Sequence, residues 1–309
     1  MLEDTEPHTA ASNLQFGILT LATPGDYLKA IGLALSARVS NPGVQLAVAC
    51  SPEVAPLVSP YFDHVIEEKQ GLRGFVHKVY LDEYSPFEKT FFFDSDVLLF
   101  RPVKPYAEEW GQSSYMAVGS HETGGLSCFH LDRSSMLRKL GRQYMVSIDG
   151  AGHALFTKPG CTAVFDQARE VTSNYREIAG DIRYADEDVL AIVMTMMDLP
   201  PAPIGNFFSR YFSARPGSIR MDASSGECEF IWRDTGKRFQ PCMMHFAANE
   251  APVAYTRQLI KLFRKFGVPI HGLLIMVIRD IFETKLRWPI GFAARRILHA
   301  AGVWRVPKS

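Results

Sequence analysis

The sequence has no long uninterrupted apolar run, no CxxC pair, no internal repeat, no low-complexity tract and no net charge. Each absence removes a class of protein. The best apolar stretch, Leu273 to Ile278, is cut by Arg279 and Asp280, well short of the about 20 residues that span a bilayer. Cys50, Cys128, Cys161, Cys228 and Cys242 are odd in number and scattered. That spacing suits neither a zinc knuckle nor a disulfide framework, and fits a reducing compartment. The first residues, MLEDTEPHTAASN, are polar and acidic, with no basic region leading into an apolar stretch, so they do not read as a signal peptide. A zero net charge gives no whole-chain attraction for nucleic acid. These features predict a cytoplasmic protein, soluble or peripheral at the cytoplasmic membrane face.

What is present is ordinary globular material: 309 residues, 47% apolar and 21% charged, enough for a sizeable core. The charge is unevenly spread. After Ala251 there are eleven Lys or Arg against two acids, so the tail carries nine excess positive charges and the preceding residues nine excess negative ones. Interleaved with Leu, Ile, Phe and Trp, this segment reads as a basic helical extension over 255–309. It suits either contact with an anionic membrane or packing against the acidic remainder, with a homodimer as one form of that packing. Residues 1–13 read as a disordered leader and 14–254 as one α/β domain.

That domain opens as a βαβ unit. Phe16 to Ala22 is a short apolar run that predicts a buried strand. Pro24-Gly25 turns the chain, and Asp26 is placed to cap a helix whose apolar residues Leu28, Ile31, Leu35 and Val39 recur at helical spacing. Asn41-Pro42-Gly43 stops it, and Gln45 to Cys50 is a second strand. A parallel sheet with right-handed crossovers follows from this order. A third strand is expected near His64 to Ile66, then a helix marked by Leu72, Phe75, Val76 and Val79. Farther on, short strands are expected over 115–118 and 153–157 and a helix from Asp186. Residues 200–250 read as loop-rich, with an aromatic run at Phe207, Phe208, Tyr211 and Phe212 that suits a core better than a sugar-stacking platform.

The most informative segment is Thr90 to Phe100, TFFFDSDVLLF, where Asp94-Ser95-Asp96 interrupts what looks like one continuous strand. On an extended strand residues i and i+2 point to one side, so Asp94 and Asp96 can converge on one cation. Two carboxylates behind three phenylalanines are costly unless solvated, hydrogen-bonded or neutralised. Ligands of open α/β sheets sit at the carboxyl ends of strands, and hard oxygen donors favour Mn²⁺ or Mg²⁺. The alternative is a turn, for which Asp-Ser-Asp is also good chemistry.

With further segments the chain resembles the GT-A glycosyltransferases, in particular the retaining group of glycogenin, galactinol synthase and bacterial lipopolysaccharide α-glycosyltransferases. Leu19-Thr-Leu-Ala-Thr-Pro-Gly-Asp-Tyr-Leu28 resembles their uridine-binding start, Lys78 their donor-binding lysine, and Asp149-Gly-Ala-Gly-His-Ala-Leu-Phe156 their Asn-Ser-Gly-apolar stretch. Tyr184-Ala-Asp-Glu-Asp-Val-Leu190 is similar to their Asp-Gln-Asp stretch, and Met243-Met-His-Phe-Ala-Ala248 to their C-terminal His-Phe motif. The resemblance runs in order over roughly 14–255. It implies a mostly parallel central sheet flanked by helices, with a metal held by Asp94, Asp96 and His245. It also implies a nucleotide-diphospho-sugar donor, a UDP-sugar, held by Thr20, Ala22, Thr23, Tyr27, Lys78, Asp94 and Ser95. Asp186, Glu187 and Asp188 would be the catalytic group, Glu187 standing at the family's Gln. The acceptor would be a saccharide, glycolipid or protein.

The pattern is incomplete. Gly150 stands at the family's Asn unless Asp149 substitutes, and Ala248, Ala251 and Val253 replace its Gly, Lys and Trp, with Arg257 a candidate for the missing cation. Individually, His245 also suits a core histidine, Lys78 a solvated surface lysine, and Asp186 to Asp188 a helix start favoured by the macrodipole. Two rival readings stand beside the transferase: a haloacid-dehalogenase-like phosphatase using Asp94 as nucleophile, and a GT-A-like nucleotide-sugar-binding protein without turnover.

Overall fold

The computed structural model describes residues 15–72, 74–149, 153–247, 251–282 and 285. The leader expected over 1–13, Gly150, Ala248 and the basic tail from 286 onward lie outside them.

The chain opens as the βαβ pattern requires: β1 (Phe16–Ala22), α1 (Tyr27–Ser40), β2 (Gln45–Cys50), the short α2 (Ala55–Val58) and β3 (His64–Glu67). β1 and β2 pair in parallel from Gly17 and Gln45 to Ala22 and Cys50, and β3 extends the sheet in the same sense. The helix expected from Leu72 to Val79 is a 3₁₀ segment, Gly74–Tyr80, leading into α3 (Leu81–Tyr84). At three residues per turn Phe75 and Lys78 fall on one edge. β4 (Lys89–Phe92) then adds in parallel to the other side of β1. Phe91, Phe92 and Phe93 are wholly buried, as a strand covered on both faces demands.

The run from Thr90 to Phe100 is not one strand. The Phe93 amide still donates to Leu19 O at 3.0 Å, but the chain then turns at Asp94, whose carbonyl accepts the Val97 amide at 3.2 Å. β5 (Val97–Leu99) leaves the main sheet. Asp94-Ser95-Asp96 is therefore a turn and a strand mouth at once, the corner at which the chain changes sheet.

The middle of the chain supplies α4 (Lys104–Trp110), β6 (Tyr115–Ala117), β7 (Gly119–Glu122), α5 (Arg133–Leu140), β8 (Met145–Ile148), β9 (Ala154–Thr157), α6 (Thr162–Ser173), α7 (Tyr175–Ala179) and α8 (Asp186–Met196). β9 inserts antiparallel between β4 and β6, giving a mostly parallel sheet ordered β3-β2-β1-β4-β9-β6. Residues 200–250, read from sequence as loops, carry β10 (Phe208–Arg210), β11 (Arg220–Asp222), β12 (Glu227–Ile231), β13 (Arg238–Phe239) and β14 (Met243–His245). Strands of two to five residues are too short to show an alternating pattern. β14 pairs with β5 antiparallel and β10 in parallel, which carries His245 opposite Val97, next to the Asp94 turn.

Phe207 and Phe208 are core, as the aromatic run suggested. Phe207 stacks on Phe91 with centroids 5.4 Å apart and meets Trp110 edge-on at 4.6 Å, while Phe212 is exposed. The basic segment begins as α9 (Pro252–Lys265), whose Tyr255, Leu259, Leu262 and Phe263 are buried in the same core. It lies close on α1: a Cβ on Gly32 would run into the Leu259 side chain. α10 (His271–Phe282) buries Leu273, Met276 and Asp280 but leaves Leu274, Ile275 and Ile278 at 64%, 71% and 59% exposure. Among the described residues no helix is long and apolar enough to cross a membrane.

Candidate functional site

A cavity of about 210 Å³ opens at the carboxyl ends of β1 and β4, lined by Leu21, Thr23, Asp26, Gly74, Phe75, Lys78, Asp94, Ser95 and Asp96. Three segments meet there: the end of β1 with the loop after it, the 3₁₀ segment, and the Asp-Ser-Asp corner that follows β4. Of the residues singled out from sequence, Thr23, Lys78, Asp94, Ser95 and Asp96 line it. Thr20 and Ala22 are buried in the sheet beside it, and Tyr27 packs half-buried against the core.

Asp26 stands at the N-cap position of α1, but its carboxylate does not cap the helix. It accepts the Thr23 amide at 2.6 Å and the Thr23 hydroxyl at 2.8 Å, while its other oxygen accepts the Ser95 hydroxyl at 3.3 Å. One side chain thus closes the turn after β1 and ties it to the acidic corner.

Lys78 is a buried lysine, not a solvated one. Its ammonium lies 2.8 Å from Asp94 Oδ1 and 2.8 Å from Asp186 Oδ2. Burial works against the charge, but the carboxylates of Asp186 and Asp94 outweigh it and hold the group above the ordinary lysine range. Burial in turn pushes the Asp94 carboxyl up to about 6, against the pull of Lys78 and His245.

Asp96 meets His245, with Nε2 3.0 Å from Oδ1, while the same nitrogen is 4.0 Å from Asp94 Oδ2. Burial pushes the Asp96 carboxyl up, but the His245 contact outweighs it and holds the group well below the usual carboxylate range. His245 Nδ1 is buried without a hydrogen-bond partner.

A residue that the sequence reading passed over lies beside it. His153, immediately before β9, is wholly buried, and neither ring nitrogen has a partner. Its ring meets that of His245 edge-on, with centroids 4.7 Å apart. Donor atoms of Asp94, His153 and His245 all lie within 4.8 Å of one another. Burial, helped by His245 and Lys78, drives the His153 pKa well below the ordinary histidine value. The available signal was a histidine in the apolar position of the Asn-Ser-Gly-apolar stretch. Carboxylates beside one imidazole with no hydrogen-bond partner and a second turned toward Asp96 are a donor set that fits a divalent cation.

The acidic start of α8 splits into separate environments. Asp186 is taken up by Lys78, and Asp188 accepts the Tyr175 hydroxyl at 3.3 Å. Glu187 forms neither pair. Burial, reinforced by Asp186 and opposed by Arg210, pushes its carboxyl up to about 7. Asp149, the residue expected to substitute for the missing Asn, is likewise raised by burial and opposed by Arg210. Arg257 is exposed on α9 and is not among the residues lining the cavity. From the far end of the chain, Arg279 of α10 donates to Gly25 O at 2.7 Å, on the turn after β1.

No family model matches the chain, and no curated protein does. Solved structures do. The galactosyltransferase LgtC, in complex with donor and acceptor sugar analogs, aligns with a TM-score of 0.53 at 15% identity, over 81% of this chain and 99% of that one. The apo-form glycosyltransferase GlyE from Streptococcus pneumoniae TIGR4 aligns with a TM-score of 0.53 at 10% identity, over 82% and 63%. The bifunctional protein WbbM, also apo, gives 0.52 at 9% identity, over 82% and 52%.

Proposed function

For a chain with the GT-A fold of these glycosyltransferases, we propose a metal-dependent glycosyltransferase that moves a sugar from a nucleotide-diphosphate donor, a UDP-sugar, to a saccharide or glycolipid acceptor, with retention. The observation that carries this reading is the meeting of Lys78, Asp94, Ser95 and Asp96 with the turn after β1 in one cavity. That LgtC was solved with donor and acceptor sugar analogs supports it.

Asp94, Asp96 and His245 would hold Mn²⁺ or Mg²⁺. Such an ion neutralises a diphosphate as it leaves. The protein's own groups do the rest. Leu21, Thr23 and Phe75 wall the cavity in which the base and ribose would sit, and Asp26 keeps that wall joined to Ser95. Lys78 fixes the orientation of Asp94 while adding a positive charge to the cavity wall. Since Lys78 occupies Asp186, Glu187 is the carboxyl of α8 left to face positive charge developing on the sugar.

The expected result is thermal stabilisation by UDP with Mn²⁺, lost in Asp96→Ala, together with release of free UDP from a UDP-sugar. Stabilisation without release would leave a binding protein. Turnover of a generic phosphate ester with no UDP effect would sink both. The phosphatase reading places its nucleophile on the first strand, whereas Asp94 follows β4 and is already engaged by Lys78.

A glycolipid acceptor would sit with the membrane contact expected of the basic C-terminal segment. The exposed Leu274, Ile275 and Ile278 of α10 support that contact. In the full chain, Ile275→Glu with Ile278→Glu should abolish co-sedimentation with anionic vesicles; unchanged binding would exclude α10 as the contact.

A further inference from the structure

We propose that His153 is a ligand of the cation site, giving that site two imidazoles beside its carboxylates and a preference for Mn²⁺, Co²⁺ or Zn²⁺ over Mg²⁺. The inference rests on the divalent-metal part of the function proposed above and on no part of its donor or acceptor.

A core histidine ordinarily satisfies at least one ring nitrogen, because an unpartnered polar atom cut off from water forfeits its hydration. His153 satisfies neither, although it has no exposed surface. The rings packed around it make no hydrogen bond to it: Phe93 at 6.0 Å, Phe208 at 5.7 Å and His245 at 4.7 Å between centroids. As filler for this aromatic pocket, phenylalanine or leucine would serve without the orphaned nitrogens. The backbone is held in place, its carbonyl accepting the Val118 amide at 3.4 Å.

What the ring does have is a convergence. Donor atoms of His153, His245 and Asp94 fall within 4.8 Å of one another, close enough for one ion to take all three. Lys78 engages Asp94 through Oδ1, and Oδ2 is the oxygen that faces His245. Asp96 lies on the other flank, 3.0 Å from His245 Nε2. Mg²⁺ favours oxygen donors and sheds water reluctantly, whereas imidazole suits the later first-row ions. A second imidazole therefore changes which ion the site selects.

The test uses the full chain without nucleotide, so that it does not depend on transferase activity. Pulsed electron paramagnetic resonance of the Mn²⁺-loaded wild type should show two directly coordinated imidazole nitrogens, and His153→Leu one. Titration calorimetry should show Co²⁺ affinity falling at least about tenfold in His153→Leu, with Mg²⁺ affinity little changed. Metal-free His153→Leu should melt no lower than the wild type, since it removes two unpartnered polar atoms. If that variant does not fold, the wild-type spectrum decides alone. A single imidazole, or no Mn²⁺ binding at all, overturns the inference. Two imidazoles with no response to UDP would uphold it while removing the glycosyltransferase reading. One imidazole with a full UDP response would do the reverse.

Discussion

Lys78 Nζ lies 2.8 Å from Asp186 Oδ2, joining the 3₁₀ segment before β4 to the first turn of α8. The same ammonium holds Asp94 at 2.8 Å. One buried cation thus sets the position of a carboxylate at the Asp-Ser-Asp corner and of the helix start that carries Glu187. In the transferase proposed above, the donor side and the sugar side of the site would share a single anchor.

Removing that anchor should be costly. Lys78→Met leaves the buried Asp186 and the partly buried Asp94 without their shared cation, and breaking a buried pair costs about 3–5 kcal/mol. Urea unfolding should show a loss of that size, and UDP should no longer stabilise the variant in the presence of Mn²⁺. Asp186→Asn, which leaves Lys78 paired with Asp94, should cost less. A Lys78→Met protein as stable as wild type would mean that the charges are not held as a buried group.

Much of this was legible in the sequence, and the limits have physical causes. The βαβ opening, the buried Phe91-Phe92-Phe93 and the helix start at Asp186 follow from periodicity and local composition. The position of Asp94-Ser95-Asp96 was readable, but its nature as a corner between two sheets was not. That depends on β5 pairing with β14, a partner more than 140 residues away. The same pairing seats His245. His153 was hidden for a different reason: its meaning lies wholly in what fails to contact it. Lys78 was ambiguous because spacing says nothing about burial.

Glu187 should give the stability curve a distinct pH dependence. Its folded pKa of about 7 lies above its ordinary value of 4.5. Between these values the folded chain keeps a proton that the unfolded chain has released. The group's contribution to stability is therefore fully present below about 4.5 and lost as pH rises through about 7. Glu187→Gln removes the buried charge. It should match wild type near the acid end of this window and exceed it at pH 8 by on the order of 3 kcal/mol. Denaturation midpoints at both pH values check this. If the gap between variant and wild type does not widen with pH, Glu187 is not a raised carboxyl.

The tail begins inside the core. Leu259 is wholly buried against Gly32 of α1, and Leu→Ala at such sites costs about 2–5 kcal/mol. Leu259→Ala should therefore lower the unfolding midpoint of the whole domain in one cooperative transition. An unchanged midpoint would make α9 a separate, loosely attached element.

Asp26 offers the most local test of the cavity. Its carboxylate accepts the amide and hydroxyl of Thr23 and the hydroxyl of Ser95, so in the proposed transferase it would act on donor binding through the shape of the wall. Bonds to a charged acceptor contribute about 1.5–3 kcal/mol, and the lower figure corresponds to roughly a tenfold change in affinity. Asp26→Ala should weaken UDP binding in the presence of Mn²⁺ by about that factor. The melting temperature should shift by only a few degrees, because the turn is at the surface. Asp26→Asn keeps an acceptor for Thr23 and should fall between the two. Ser95→Ala cuts only the link to the acidic corner, so its loss should be smaller than that of Asp26→Ala. Equal affinities for Asp26→Ala and wild type would show that the turn after β1 holds its shape without Asp26, and that the carboxylate does not organise the donor side.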